Sequence, residues 1–234
     1  MSGRNPIEDL THLRHEFGEH GGVNMCIEAS STFTVIAPET MPALFQGRAG
    51  PDKGCYLYGR HFNPTVYNLG RQMAALDGTE AGYCAASGMG AISSVILCIC
   101  DSGDEIVASN AIYGGTFALL HDLLPRKAGI TTRFVDITDV DAVANAVTDR
   151  TRLIFTETVS NPTLRLADIP RLADVAKAAG IKLVVDNTFT PLTFSPASLG
   201  ADVVVHSVTK FISGASDIIA GAVCGTEAFI AELM

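Results

Sequence analysis

Lys210 lies in DVVVHSVTKFISGASDIIAG at 202–221, between an aliphatic run and a turn rich in glycine, serine and alanine. It is the only formally charged residue between Asp202 and Asp217, and one of five lysines in 234 residues. An amine at the end of an apolar strand, flanked by the hydroxyls of Ser207 and Thr209, suits attack on a carbonyl, because burial favours the neutral nucleophile. A surface lysine that caps a strand is the alternative from this stretch alone. Asp186 ends KLVVD at 182–186 and is followed by Asn187 and Thr188. A carboxylate after an aliphatic run is costly unless it meets a positive group or caps a turn or helix.

Other residues fit the same pattern. Ser87-Gly88-Met89-Gly90 follows AGYCA (81–85) and opens a helix, an arrangement that aims backbone N–H groups at an anion. Any tight strand-to-helix turn uses such residues too, and this one has neither the GK[ST] ending of a Walker loop nor a dinucleotide GxGxxG. Tyr113 stands at a helix start after EIVA, as a site aromatic or as packing, and Asn161-Pro162 follows RLIFTETVS as a site residue or a simple turn. Tyr58 and Arg60 are two apart in YLYGR. An extended segment points both the same way, offering a phenol and a guanidinium to one phosphate or merely a surface pair. His206 precedes Ser207 as a ligand or, as is commoner for a lone histidine on an apolar strand, a hydrogen-bonded core residue. A lysine for a carbonyl, small-residue amides and hydroxyls for an anion, and a carboxylate for a ring nitrogen together match pyridoxal phosphate. No metal site is expected.

The elements that must position these groups alternate regularly. Strands are expected at AGYCA (81–85), EIVA (105–108), TRFV (132–135), RLIFT (152–156), KLVVD (182–186), DVVV (202–205) and IIAGAVC (218–224). Helices are expected from Asn63-Pro64 to Gly78, from the Ser87 turn to about Cys100, at about 114–124, 139–147 and 168–179, and from about 226. Aliphatic strands separated by helices predict an α/β fold with a mainly parallel sheet covered on both faces, whose ligands bind beyond the carboxyl ends of the strands. Residues 1–55 are less regular and read as an N-terminal arm lying on a partner subunit, with CIEASSTFTVIAP (26–38) alternating like an extended strand. Residues 56–234 form the cofactor-binding domain.

Composition sets the outer bounds. An apolar fraction of 47% supplies a large core, and a formal net charge of −9 argues against nucleic acid or an acidic membrane as partner. No apolar run reaches the length of a membrane span. The N-terminus mixes acids and bases without an apolar h-region, and the six cysteines include no CxxC, so a reduced, cytoplasmic protein is expected.

SGMGAI (87–92), YGGT (113–116), SNPTL (160–164), VVDNTF (184–189) and ADVVVHSVTKFISG (201–214) resemble the Cys/Met-metabolism family of pyridoxal-phosphate enzymes. The resemblance runs from about residue 20 to the end. Within the family, HEFGEHGGVNM (15–25) and RHFNPT (60–65) are most similar to the plant-type methionine γ-lyases. It implies the aspartate-aminotransferase-like (type I) large domain, with Lys210 forming the Schiff base and Asp186 on the pyridine nitrogen. Tyr113 would stack on the ring and serve as acid or base at the leaving group. Gly88, Met89, Ser207 and Thr209 would hold the phosphate, with Asn161 and Thr188 near the ring. Tyr58 and Arg60 would reach the phosphate of a neighbouring subunit's cofactor, so the site would belong to a homodimer or homotetramer.

The implied reaction is γ-elimination from a small sulfur-containing amino acid, giving methanethiol, 2-oxobutanoate and ammonia from methionine. Gly115 stands where bacterial methionine γ-lyases carry a cysteine, which leaves cystathionine γ-lyase or γ-synthase activity open. Family members run to about 400 residues, with a C-terminal small domain that this chain is expected to lack. A catalytically silent fragment that binds cofactor or a full-length subunit is therefore the further alternative.

Overall fold

The computed structural model describes residues 26–35 and 37–234. Helix α1 is the short Met41–Phe45, and α2 spans Pro64–Asp77. Asn63 caps α2 by accepting from the N–H groups of Thr65 and Val66, Pro64 occupies the first turn, and Gly78 ends it with a left-handed φ of 74°. Strand β1 (Ala81–Ala85) leads through Ser87 into α3 (Gly88–Ile99).

Strands β2 (Glu105–Ser109), β3 (Thr131–Val135), β4 (Thr151–Glu157), β5 (Lys182–Asp186), β6 (Val203–Ser207) and β7 (Gly221–Gly225) complete one sheet in the order β1-β7-β6-β5-β4-β2-β3. Neighbours from β6 to β3 run parallel, whereas β7 lies antiparallel between β6 and β1.

Successive residues of each strand feed opposite cores. Leu153 and Phe155 join Val184, Val203 and Val205 on the face covered by α3 and by α8 (Glu227–Leu233). Ile154 joins Val185 and Val204 on the face covered by α2, α6 (Val140–Ala146) and α7 (Ile169–Ala179). The helix expected at 114–124 extends farther, as α4 (Gly114–Ala118), a turn of π-helix at Leu119–Leu123 and α5 (Leu124–Lys127). Pro125 lacks the N–H that would continue the regular ladder there.

Two expectations fail. Apart from Ile36, which lies outside the described residues with 1–25, the segment 26–38 forms no strand. A single antiparallel bridge joins Thr32 to Tyr58. The segment is mostly exposed, and alternation without a buried face does not hold a strand in a sheet. The IIAGAVC strand begins only at Gly221, because Ile218 and Ile219 lie in an exposed loop. No helix among the described residues is long and apolar enough to cross a membrane.

Helix α2 meets β1 backbone to backbone. A Cβ on Gly70 would collide with the Gly82 carbonyl oxygen, and one on Gly82 with that of Gly70. Helix propensity alone makes Gly70→Ala stabilising by up to about 1 kcal/mol. The collision reverses the sign, so urea unfolding should give a loss of about 1–3 kcal/mol.

Candidate active site

A cavity of about 310 Å³ opens at the carboxyl ends of β4, β5 and β6, against the N-terminus of α3. Gly88, Met89, Tyr113, Asn161, Asp186, Thr188, Ser207, Thr209 and Lys210 line it together. These residues come from the ends of five strands, β1, β2, β4, β5 and β6, brought together by the sheet.

Asp186 is 8% exposed. Its Oδ1 accepts from the Thr188 N–H at 2.9 Å and the Thr188 hydroxyl at 2.6 Å, leaving Oδ2 without a hydrogen-bond donor among the described residues. Burial pushes this carboxyl above its ordinary range, against the lowering effect of the Thr188 bonds. The Thr188 hydroxyl also accepts from the Ser207 N–H at 2.8 Å, locking the end of β5 to the end of β6.

Ser87 caps α3 by accepting from Gly90 N–H at 3.0 Å. The N–H groups of Gly88 and Met89 remain among the unpaired first-turn donors of the helix. A side chain at Gly88 would stand 2.7 Å from Ser207 Cβ, so only glycine lets the helix end approach Ser207 this closely. The Thr209 hydroxyl is engaged by Ala220, donating to its carbonyl at 3.1 Å and accepting from its N–H at 3.0 Å.

Lys210 Nζ has no hydrogen bond or ion pair with the described residues. The sequence reading expected burial to free this amine. Instead Lys210 is exposed, beside Phe211, Ile218 and Ile219, which are themselves 57%, 45% and 74% exposed. Burial is therefore not what leaves the amine uncommitted.

Tyr58 and Arg60 stand outside the cavity. The segment is not extended there: His61 and Phe62 donate back to the Tyr58 carbonyl, forming a turn. That turn, rather than strand alternation, brings the pair together, with the Arg60 guanidinium 5.0 Å from the Tyr58 ring centre. His206, expected in the core, is buried and bonds Asp77 Oδ2 through Nε2 at 2.6 Å.

Sequence reasoning missed Glu157. It ends β4, pairs in register with Asp186, lines the cavity and is 6% exposed. Burial raises its carboxyl to about 7, with the Asp186 charge adding to the shift and hydrogen bonds from the Tyr113 and Asn161 N–H groups opposing it. The available signal was an acid closing the apolar run LIFT, the same signature that singled out Asp186.

The family model described as Cys/Met metabolism PLP-dependent enzyme matches residues 10–233. The chain belongs to this family. A methionine gamma-lyase of Arabidopsis thaliana is 61% identical over 230 residues, spanning 98% of this chain and 52% of that protein. A cystathionine gamma-lyase of Bacillus subtilis is 42% identical, over 87% of this chain and 53% of its own length. A solved O-acetylhomoserine (thiol)-lyase from Campylobacter jejuni, described as carrying a pyridoxyl-lysine-monophosphate, aligns with a TM-score of 0.90 at 30% identity. That alignment covers 98% of this chain and 56% of that one. The chain thus spans about half the length of the relatives it matches.

The cavity of this family member fits the family's cofactor on its own chemistry. Asp186 Oδ2 is suited to a protonated ring nitrogen, the free N–H groups of α3 to a phosphate, and the uncommitted Lys210 amine to a carbonyl carbon. Asp186→Asn keeps an oxygen for both Thr188 bonds but removes the buried charge. At pH 7 its urea midpoint should rise above wild type, while its affinity for pyridoxal phosphate falls at least about tenfold. Glu157 and Asp186 both bind protons in the folded chain that the unfolded chain releases. Glu157's contribution to stability therefore declines as pH rises from about 4.5 to about 7, that of Asp186 declines as pH rises above about 3.8, and the combined decline should be shallower in Asp186→Asn.

Proposed function

We propose that this chain carries the cofactor half of a carbon–sulfur lyase that eliminates the γ-methylthio group of methionine as methanethiol. The reading rests on one observation: Lys210, Asp186 and the open first turn of α3 face a single cavity. Its substrate assignment draws support from the 61% identity to the Arabidopsis methionine gamma-lyase. The balanced reaction converts methionine and water to methanethiol, 2-oxobutanoate and ammonia.

Bound in the cavity, pyridoxal phosphate supplies a sink for the electron pair left on the substrate's α-carbon. Asp186 would keep the ring nitrogen protonated. The N–H groups of Gly88 and Met89 and the Ser207 hydroxyl would hold the phosphate, joined by Thr209 once its hydroxyl turns from Ala220. Asn161 and Thr188 would flank the ring, with Thr188 also fixing Asp186. Lys210 Nζ would remove the α-proton and then a β-proton, whose bonding pair expels the sulfur from the γ-carbon, and Tyr113 Oη would give a proton to the departing sulfur.

Tyr58 and Arg60 lie outside this chain's cavity, which supports their assignment to a neighbouring subunit's phosphate. The assembly is accordingly a homodimer or homotetramer, with the 1–55 arm against the partner and 56–234 as the cofactor domain. The six free thiols suit a reducing compartment such as the cytoplasm.

Gly115 supports a second reading, cystathionine cleavage. A side chain there would stand 2.5 Å from Tyr113 Cε1, so glycine leaves the ring free to lie back over the helix start. That opens room for a substrate bulkier than methionine.

Purified chain loaded with pyridoxal phosphate should release 2-oxobutanoate and methanethiol from methionine, and Lys210→Ala should lose at least about a thousandfold in turnover. Faster release from cystathionine transfers the assignment to the second reading. Cofactor uptake without product from either substrate overturns both, in favour of a fragment that needs a further chain.

A further inference from the structure

Glu157 is a buried acid with no ion pair among the described residues. Elsewhere in the sheet Glu105 is met by Arg133 and Arg150. Glu157 instead spends each oxygen on a different backbone: Oε1 accepts from Tyr113 N–H and Oε2 from Asn161 N–H, both at 2.8 Å. Tyr113 starts the helix after β2, and Asn161 lies in the loop after β4. The carboxylate therefore staples two separate loops at the point where both enter the cavity, beside Asp186 in the next strand.

We infer that Glu157 is a positioning residue, a carboxylate clamp that fixes Tyr113 and Asn161 over the cofactor ring. The chemistry of the side chain is what the geometry requires. A carboxylate presents two acceptor oxygens, whereas the glutamine amide of equal shape presents one acceptor and one donor. The donor would face the second N–H, so one loop would be released. As a space filler a buried charge is a poor choice, since an apolar residue would cost less at this depth. The inference rests on the cavity being the cofactor site, but the clamp itself exists without cofactor and can be tested without it.

The test has two arms. In the cofactor-free chain, labelled with 15N, the amide resonances of Tyr113 and Asn161 should follow one shared titration, and Glu157→Gln should abolish it. In the second arm, Glu157→Gln and the shorter Glu157→Asp should each bind pyridoxal phosphate about tenfold more weakly and with a smaller induced circular dichroism band. Their far-ultraviolet spectra without cofactor should match wild type, as a merely structural role would not allow. Independent titration of the two amides in wild type overturns the clamp, even if the variants do not fold. Wild-type affinity and band in Glu157→Gln also overturn it. A wild-type chain that binds no cofactor contradicts the assignment of the cavity, while the shared amide titration still decides the clamp.

Discussion

The arrangement of the site follows from one constraint, a carboxylate held at 8% exposure at the end of a parallel strand, with no ion pair to it among the described residues. Such a group is tolerated only where hydrogen bonds meet it. Thr188 provides two of them, both to Oδ1. The same Thr188 hydroxyl takes the Ser207 N–H, so the residue that steadies Asp186 also fixes a second residue lining the cavity. The distance between the two ends of the site is thereby set by backbone and one short side chain, without a flexible link.

Close packing makes the same geometry rigid. Gly88 brings the end of α3 against Ser207, and a Cβ on Gly221 would run into the Ser87 carbonyl. The N–H groups of the helix start are held where β6 leaves the sheet and β7 enters it, and the macrodipole of a twelve-residue helix adds to their attraction for an anion. Two acids, Glu157 and Asp186, occupy paired positions on neighbouring strands yet have different tasks. One spends both oxygens on backbone amides, and the other keeps an oxygen uncommitted. Environment rather than residue type separates their roles.

Much of this was legible in the sequence because it depends on local rules. Aliphatic strands ended by a polar residue marked Asp186 and the Ser207–Lys210 segment, and the parallel topology then put strand ends together. The Asn63-Pro64 start and Gly78 stop of α2 follow from capping chemistry alone. What escaped depends on partners distant in the chain. Glu157 acquires its role only because residues 44 and 4 positions away present their N–H groups to it. The exposure of Lys210 depends on what packs over its loop, which no strand pattern encodes. Tyr58 and Arg60 lie together through a turn and not through the extended segment that was expected. The failed strand at 26–38 has the opposite cause, a pattern with nothing buried behind it.

Reductive trapping tests the assignment of Lys210 most directly. The chain is incubated with pyridoxal phosphate, treated with borohydride and mapped by peptide mass spectrometry. The reduced pyridoxyl group should appear on Lys210, on a peptide that contains the Ser207–Lys210 segment, and Asp186→Asn should diminish it. A label on Lys53, Lys127, Lys177 or Lys182, or one spread without preference over several lysines, would contradict the account.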